Sequence, residues 1–149
     1  MGKLSGIGYK REKRGTVITC EKAFVGLQSG VEGDIRGIPG KRQVTVLSAE
    51  AFDMACKQLG MSLPWTVRRA NLLIEGIDLQ ASTGKLLQIG EVVLEITGET
   101  EPCYRMDEQC DGLKEALQTD WRGGVTCTVI SEGHVCLNDS VQLIEASHE

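Results

Sequence analysis

Short β-strand patterns separated by glycine turns are the feature that most constrains how this chain folds. The clearest lies at residues 86–97, where Val92, Leu94 and Ile96 share one side and the other side carries two glutamates. Related patterns recur at short spacing, and 18 glycines with only 4% aromatic residues indicate many tight turns. This spacing predicts an all-β or mainly β fold, built as a barrel or a sandwich.

Two segments interrupt the strand pattern and predict about two short peripheral helices. In residues 49–60 the apolar residues recur at i, i+3, i+4 and i+7, Ser48 is the expected N-cap and Gly60 the expected stop. In residues 111–118 we expect Asp111 to cap a second helix. Its inward-facing residues would be Leu113, Ala116 and Leu117.

The two ends of the chain show different patterns. Residues 1–14 are rich in Gly, Lys and Arg and predict a flexible basic lead-in, which leaves residues 15–149 as one domain. A chain of 149 residues is within the usual size of a single domain. Residues 125–144 contain three strand patterns joined by short turns, which predicts a closing antiparallel meander.

Charge and hydropathy exclude several classes of partner. A net charge of −5 provides no general field that attracts nucleic acid or anionic membranes. Uninterrupted apolar runs are far shorter than the roughly 20 residues of a membrane helix. The basic N-terminus is not followed by the apolar region of a secretory signal. We therefore expect a cytoplasmic protein with neither nucleic-acid nor membrane partners.

The six cysteines are expected to be reduced thiols, and none forms a C-x-x-C pair that would indicate structural zinc. Cys56 and Cys127 lie on apolar faces of their predicted elements, so they are expected in the core. Cys136 shares its side of a strand with His134. That arrangement leaves a thiol–imidazole pair or a partial metal site open as alternatives to ordinary packing.

Cys103 is the candidate nucleophile or metal ligand. It follows Pro102 beyond a strand end, where no helical or strand periodicity accounts for its side chain. Nearby in sequence, Glu99, Glu101 and Asp107 would raise the pKa of its thiol, whereas Arg105 would lower it. The local sequence leaves a reactive and an ordinary thiol equally open, and reactivity would need positive charge from elsewhere.

Four arginines beside turns or strand ends are candidate sources of that charge: Arg42, Arg68, Arg69 and Arg122. A guanidinium binds phosphate or another oxyanion bidentately, and neighbouring glycines let backbone amides approach the same group. Each arginine alone is more often a surface charge. Only convergence of several in space would make an anion site.

The ordered motifs of the chain resemble the MOSC family, the domains named for the C-terminal part of molybdenum cofactor sulfurase. The motifs are GVEGD at 30–34, RQVTVLSAE at 42–50, RRANLLIEGIDL at 68–79, LLQIGEVVLEITG at 86–98, PC at 102–103 and WRGGV at 121–125. The resemblance spans about residues 15–145 and implies a MOSC-type β-barrel.

The resemblance implies that Cys103 carries sulfur as a persulfide or binds the molybdenum of the pterin cofactor. The residues expected to bind the cofactor around it are Asp34, Arg42, Arg69, Asn71 and Arg122. Arg42 and Arg122 would hold its phosphate, and Asn71 would donate to a pterin edge. From its local sequence, Asp34 is alternatively a turn-stabilising residue, and it lacks the Arg-His that follows it in many relatives.

The function implied is that of a stand-alone, bacterial-type MOSC protein that binds or delivers molybdenum cofactor (molybdopterin) or its sulfur. Its partners would be molybdenum enzymes or cofactor-biosynthesis proteins. Two alternatives remain open: a small molybdenum-dependent reductase of N-hydroxylated compounds with a separate electron donor protein, and a non-catalytic binding module. Whether the chain is an enzyme, sulfurtransferase-like or reductase, is left open. Pyridoxal phosphate is not expected, because the desulfurase part that binds it has no counterpart here.

Overall fold

A closed barrel of seven β-strands forms the centre of the structure, a computed structural model that describes residues 2–12, 15–68, 70–100 and 105–145. The strands are β1 (Gly2–Tyr9), β2 (Ile18–Cys20), β3 (Lys22–Gly26), β4 (Gly30–Val31), β5 (Val44–Ser48), β6 (Leu72–Glu75), β7 (Leu86–Ile89), β8 (Val92–Glu99), β9 (Val125–Ser131), β10 (Gly133–Cys136) and β11 (Ser140–Ile144). Around the barrel the order is β1, β11, β7, β8, β9, β5 and β6, which pairs back to β1. The prediction of a mainly β barrel is confirmed.

Helices cover one side of this barrel. They are α1 (Ala49–Leu59), α2 (Arg105–Gln109) and α3 (Leu113–Gln118), with 3-10 turns at Trp65–Arg68 and Thr119–Trp121. Strands β5 and β6 run parallel, because α1 carries the chain back between them, whereas the other barrel pairs are antiparallel. Helix α2 is additional to the two predicted helices. None of the helices in the described segments has the length and apolar character needed to cross a membrane.

The barrel interior follows the predicted alternation. Val92, Leu94 and Ile96 are almost completely buried, together with inward residues of the other barrel strands. The expected flexible lead-in is wrong for Gly2–Tyr9, because this segment is β1. Strand β1 pairs with both β6 and β11, and its Leu4 and Ile7 are fully buried. Burial of these apolar side chains and barrel closure keep β1 ordered despite the nearby basic residues.

The predicted closing meander is also wrong. Strand β10 leaves the barrel and pairs with β3 in a separate three-stranded sheet, while β11 pairs with β7 and β1. The side chain of Glu91, in the β7–β8 turn, accepts a hydrogen bond from the backbone amide of His134 at 2.8 Å. This contact joins β10 to the β7–β8 turn of the barrel. The backbone pairing of β10 with β3 shows that the short turns before and after β10 do not join neighbouring strands of one sheet.

Both predicted helices exist, but their caps differ. Ser48 Oγ accepts from the amide of Ala51 at 3.2 Å, and Gly60 adopts φ = +64° at the end of α1, as expected. For α3, Asp111 is not the cap, because Gly112 occupies that position. Asp107 instead accepts from the amide of Lys114 at 3.0 Å. The predicted inward residues of α3 are fully buried.

Gln43 links the long loop after β3 to the barrel. Its side chain is 1% exposed, and its Nε2 donates to the carbonyl oxygens of Leu27 and Gly37 at 2.9 and 3.1 Å. Its Oε1 accepts from the amide of Val129 at 3.0 Å. One amide side chain thus satisfies three buried or partly buried backbone groups.

We expect Gln43→Leu to lower the free energy of unfolding by about 3 kcal/mol, because it leaves those backbone groups without partners. Denaturant unfolding monitored by fluorescence would measure the change. Gln142→Leu on β11 is the matched control, because Gln142 is exposed, and it should change stability by less than about 0.5 kcal/mol. Equal effects of the two variants would contradict the assigned role of Gln43.

Candidate functional site

The candidate site is built around the segment that contains Cys103. Cys103 and Arg69 themselves lie outside the described residues, so their predicted roles are not tested by the structure. The described residues on either side of the cysteine segment are Thr100, which follows β8, and those of α2. These flanking residues and their contacts show where the two ends of the segment are held.

The Arg68 side chain contacts the described residues on both sides of the cysteine segment. This residue ends the 3-10 turn Trp65–Arg68 and is 8% exposed. Its Nη2 donates to the carbonyl oxygen of Thr100 at 2.8 Å, and its Nη1 lies 4.0 Å from the sulfur of Met106. Its Nε donates to the carbonyl oxygen of Gly123 at 2.9 Å. One buried guanidinium therefore joins the residues before and after the cysteine segment to the glycine pair of the WRGGV motif.

The glycine pair of that motif has a packing role. Gly124 adopts φ = +94°, and a Cβ at this position would lie 2.4 Å from the carbonyl oxygen of Val46. The carbonyl oxygen of Gly124 accepts from the amide of Thr100 at 2.8 Å. The absence of a side chain lets this turn approach β5 and also hold the end of β8.

Among the described residues, two buried side-chain atoms have no hydrogen-bond partner within that part of the chain: Thr100 Oγ1, beside the cysteine segment, and Arg122 Nε in the WRGGV motif. The rest of the Arg122 guanidinium turns towards the helices, where Nη1 donates to Gln58 Oε1 at 2.7 Å and to the carbonyl oxygen of Ala116 at 3.3 Å. Buried polar groups are usually paired, so unpaired ones mark places where a ligand can supply the partner.

Asn71 is buried on the outer wall of the barrel with both ends of its amide engaged. Its Oδ1 accepts from the amide and the hydroxyl of Thr45, at 3.0 and 3.2 Å. Its Nδ2 donates to the carbonyl oxygen of Gly8 at 3.1 Å. The side chain therefore connects β5, the start of β6 and β1.

Asp34 and Arg42 lie on the loops beside β1 and β5. Asp34 accepts from the amides of Lys10 and Arg36, at 2.9 and 3.3 Å, which is the turn-stabilising role that its local sequence left open. Arg42 is exposed immediately before β5. The preceding carbonyl, that of Lys41, accepts from the hydroxyl of Thr97 on β8. The Arg42 loop thus crosses the strand that leads to the cysteine segment.

The remaining predicted thiol roles are structural where they are described. Cys127 is fully buried in the barrel, and burial strongly raises the pKa of its thiol; Cys56 is buried under α1. The ring of His134 packs edge-on against Phe24, with centroids 5.1 Å apart. Within the described segments, no group of three or more His, Cys, Asp or Glu side chains is placed to hold a metal ion.

Of the three candidate arginines that the structure describes, Arg42, Arg68 and Arg122, burial distinguishes Arg68. Its contacts come from three distant segments, so no local pattern separates it from the other two. Thr100 gave no sequence signal at all, since a threonine after a strand is common. That its buried hydroxyl has no partner among the described residues became visible only with the strands and the WRGGV turn in place.

A small β-barrel in which Arg68 contacts Thr100 and Met106, a contact called here the Arg68 clasp, defines the class of protein. A family model described as the MOSC domain matches residues 28–142, so the chain belongs to the MOSC domain family. That family is associated with binding of the molybdenum cofactor. A comparison with curated protein sequences finds no match.

Solved structures share the fold at low sequence identity. The YuaD protein from Bacillus subtilis aligns with a TM-score of 0.83 and 19% identity, covering 99% of this chain and 98% of its own. YiiM from Geobacillus stearothermophilus aligns with a TM-score of 0.75 and 15% identity, covering 97% and 76%. YiiM from Escherichia coli gives 0.70 and 16%, covering 99% and 72%. At this identity the likeness establishes the fold.

Proposed function

We propose that this protein binds molybdenum cofactor, or the sulfur destined for it, and that Cys103 is the thiol that accepts the sulfur or the metal. The observation that carries the proposal is the Arg68 clasp, which holds Thr100 and Met106 on the two sides of the cysteine segment. A nucleophilic or ligating thiol has to be presented by a rigid scaffold. The clasp supplies that rigidity at both ends of the segment.

The clasp also supports activation of the thiol. Cys103 is three residues from Thr100 and three from Met106, and three residues of chain span at most about 11 Å. In this proposal the Arg68 guanidinium, which contacts both of these flanking residues, is the cation that acts on the Cys103 thiol. A nearby positive charge favours the thiolate, which is the form that carries sulfur or binds a metal. It offsets the acidic residues near Cys103 in sequence.

The described residues fit a polar, anionic ligand at this place. Thr100 Oγ1 and Arg122 Nε are buried groups that have no partner among the described residues, and the guanidinium of Arg42 is exposed on the adjoining loop. In this proposal they would hold the pterin and phosphate of the cofactor, while Asn71 and Asp34 shape the wall through their backbone contacts. Bound cofactor supplies a redox-active metal that accepts a thiolate ligand.

We expect purified protein to bind free molybdopterin cofactor, and Cys103→Ser to weaken that binding at least about tenfold through loss of the thiolate ligand. Metal analysis and cofactor fluorescence after gel filtration would measure binding. Cys136→Ser, which alters another partly exposed thiol, is the matched control and should bind like the wild type.

The outcomes separate the parts of the proposal. Equal binding by Cys103→Ser and wild type would contradict the role of the cysteine, and no binding by either would contradict cofactor binding itself. Incubation with a cysteine desulfurase and cysteine, followed by intact mass, tests sulfur transfer directly. A sulfur carrier gains one sulfur at Cys103, whereas a protein that only holds cofactor does not.

A further inference from the structure

Two thiols outside the candidate site lie in the same helical layer. Cys56, on the inner face of α1, is buried, and Cys110, directly after α2, is partly buried. Both pack in the apolar cluster formed by α1, α3 and the outer faces of β5 and β6. Within the described residues, the free thiols Cys20, Cys127 and Cys136 belong to other parts of the fold.

Helix packing brings the segments of these two cysteines together. Leu59 lies three residues after Cys56, on the same face of α1. Gly112 lies two residues after Cys110, and a Cβ on Gly112 would be 3.1 Å from Leu59 Cδ2. The turn that carries Cys110 is therefore in contact with the face of α1 that carries Cys56.

The charges around Cys56 agree with this arrangement. Burial raises the pKa of the Cys56 thiol, and a hydrogen bond from the Leu63 backbone partly opposes that effect. Asp53 and Cys110 raise it further through electrostatic repulsion. This direction agrees with the packing of both thiols in the same cluster.

A small oxidant has a route to Cys56. The residue lines a cavity of about 290 Å³ together with apolar groups such as Met61 and Trp65, and the exposed residues Asp53 and Ser62 lie at its edge. A hydroperoxide molecule fits easily into this volume. Cys110 is reached directly, because it is partly exposed.

We propose that Cys56 and Cys110 form a reversible disulfide when the protein meets a hydroperoxide. The Cys110 thiolate attacks the peroxide O–O bond and becomes a sulfenic acid, releasing water or an alcohol. The Cys56 thiolate then attacks that sulfur, forming the S–S bond and releasing water. The two thiols lose two electrons and two protons, and these reduce the peroxide.

The bond would connect α1 to the residue that follows α2. Helix α1 also holds Arg122 through Gln58, and α2 directly follows the cysteine segment. Oxidation would therefore restrain the helical side of the candidate site. The inference does not depend on what that site binds.

The test uses full-length protein with Cys103→Ser, which removes the competing thiol. After treatment with hydrogen peroxide and alkylation of free thiols, peptide mass mapping should show a Cys56–Cys110 disulfide that dithiothreitol reverses. Adding Cys56→Ala or Cys110→Ser should abolish it, whereas adding Cys20→Ser should not. Circular dichroism of each variant confirms that it is folded.

The rate at which the Cys56–Cys110 disulfide forms gives a second measurement. Because the pKa of the Cys56 thiol is raised, the rate of disulfide closure should continue to rise with pH above neutrality. The proposal is overturned if both thiols remain open to alkylation after peroxide treatment. It is also overturned if Cys110 pairs with a thiol other than Cys56.

Discussion

Replacing Arg68 by methionine is expected to lower the free energy of unfolding by about 3 kcal/mol, because it leaves the carbonyl oxygens of Thr100 and Gly123 without donors. Methionine keeps much of the buried volume, so the loss reports on the hydrogen bonds rather than on a cavity. Arg68→Lys should recover only part of the stability, because an ammonium cannot reproduce the two-sided geometry of the guanidinium. Denaturant unfolding of the wild type, Arg68→Met and Arg68→Lys would measure the three free energies of unfolding.

The Arg68→Met substitution should also change the reactivity of the Cys103 thiol. Loss of a nearby positive charge raises the pKa of a thiol, so the pH profile of Cys103 alkylation should shift to higher pH in Arg68→Met and less in Arg68→Lys. Arg36→Met is the control, because Arg36 is an exposed arginine on the loop after Asp34. An unchanged alkylation profile in stably folded Arg68→Met would rule out the electrostatic role and leave Arg68 as a structural clasp only.

The second large effect is expected at Gly124. Gly124→Ala should destabilise the protein by about 3 kcal/mol or more, since it adds both an unfavourable positive φ and a clash with the carbonyl oxygen of Val46. Moving the turn away to relieve the clash would pull its carbonyl from the amide of Thr100. Thermal and denaturant unfolding would measure the loss.

Gly84 provides a matched control for that substitution. It adopts φ = +88°, close to the +94° of Gly124, but a Cβ there would meet nothing within 4 Å. Gly84→Ala should therefore show the conformational cost alone, about 1 kcal/mol. Similar losses at the two positions would mean that the close approach of Gly124 to β5 contributes nothing.

The fold was predictable where one local pattern accounted for the burial of a segment. Alternation in β8 and the period of α1 identified their inward residues, because each has one face on the core. The lead-in was misread because the glycines and basic residues of residues 1–14 obscured the buried Leu4 and Ile7 of β1. The meander prediction was wrong because turn length alone does not determine which strand a strand pairs with. Strand β10 pairs with β3.

For the candidate site, sequence motifs gave Cys103 and several arginines as candidates, and the order of the motifs indicated the family that the domain match then showed. They could not rank the arginines, since a guanidinium becomes a clasp only when its partners arrive from other strands and turns. Arg68 meets Thr100, Met106 and Gly123 through the barrel.

The sequence by itself therefore determined the β-rich class, the helix positions and the residue types available for chemistry, because these depend on neighbours within a few turns of chain. The tertiary structure alone decided that residues 2–9 close the barrel and that β10 leaves it. It also buried Arg68 rather than Arg42 or Arg122, and it buried Thr100 Oγ1 with no partner in the part of the chain that the structure describes. Burial and hydrogen bonding of these groups depend on contacts between residues far apart in the chain, which no local pattern records.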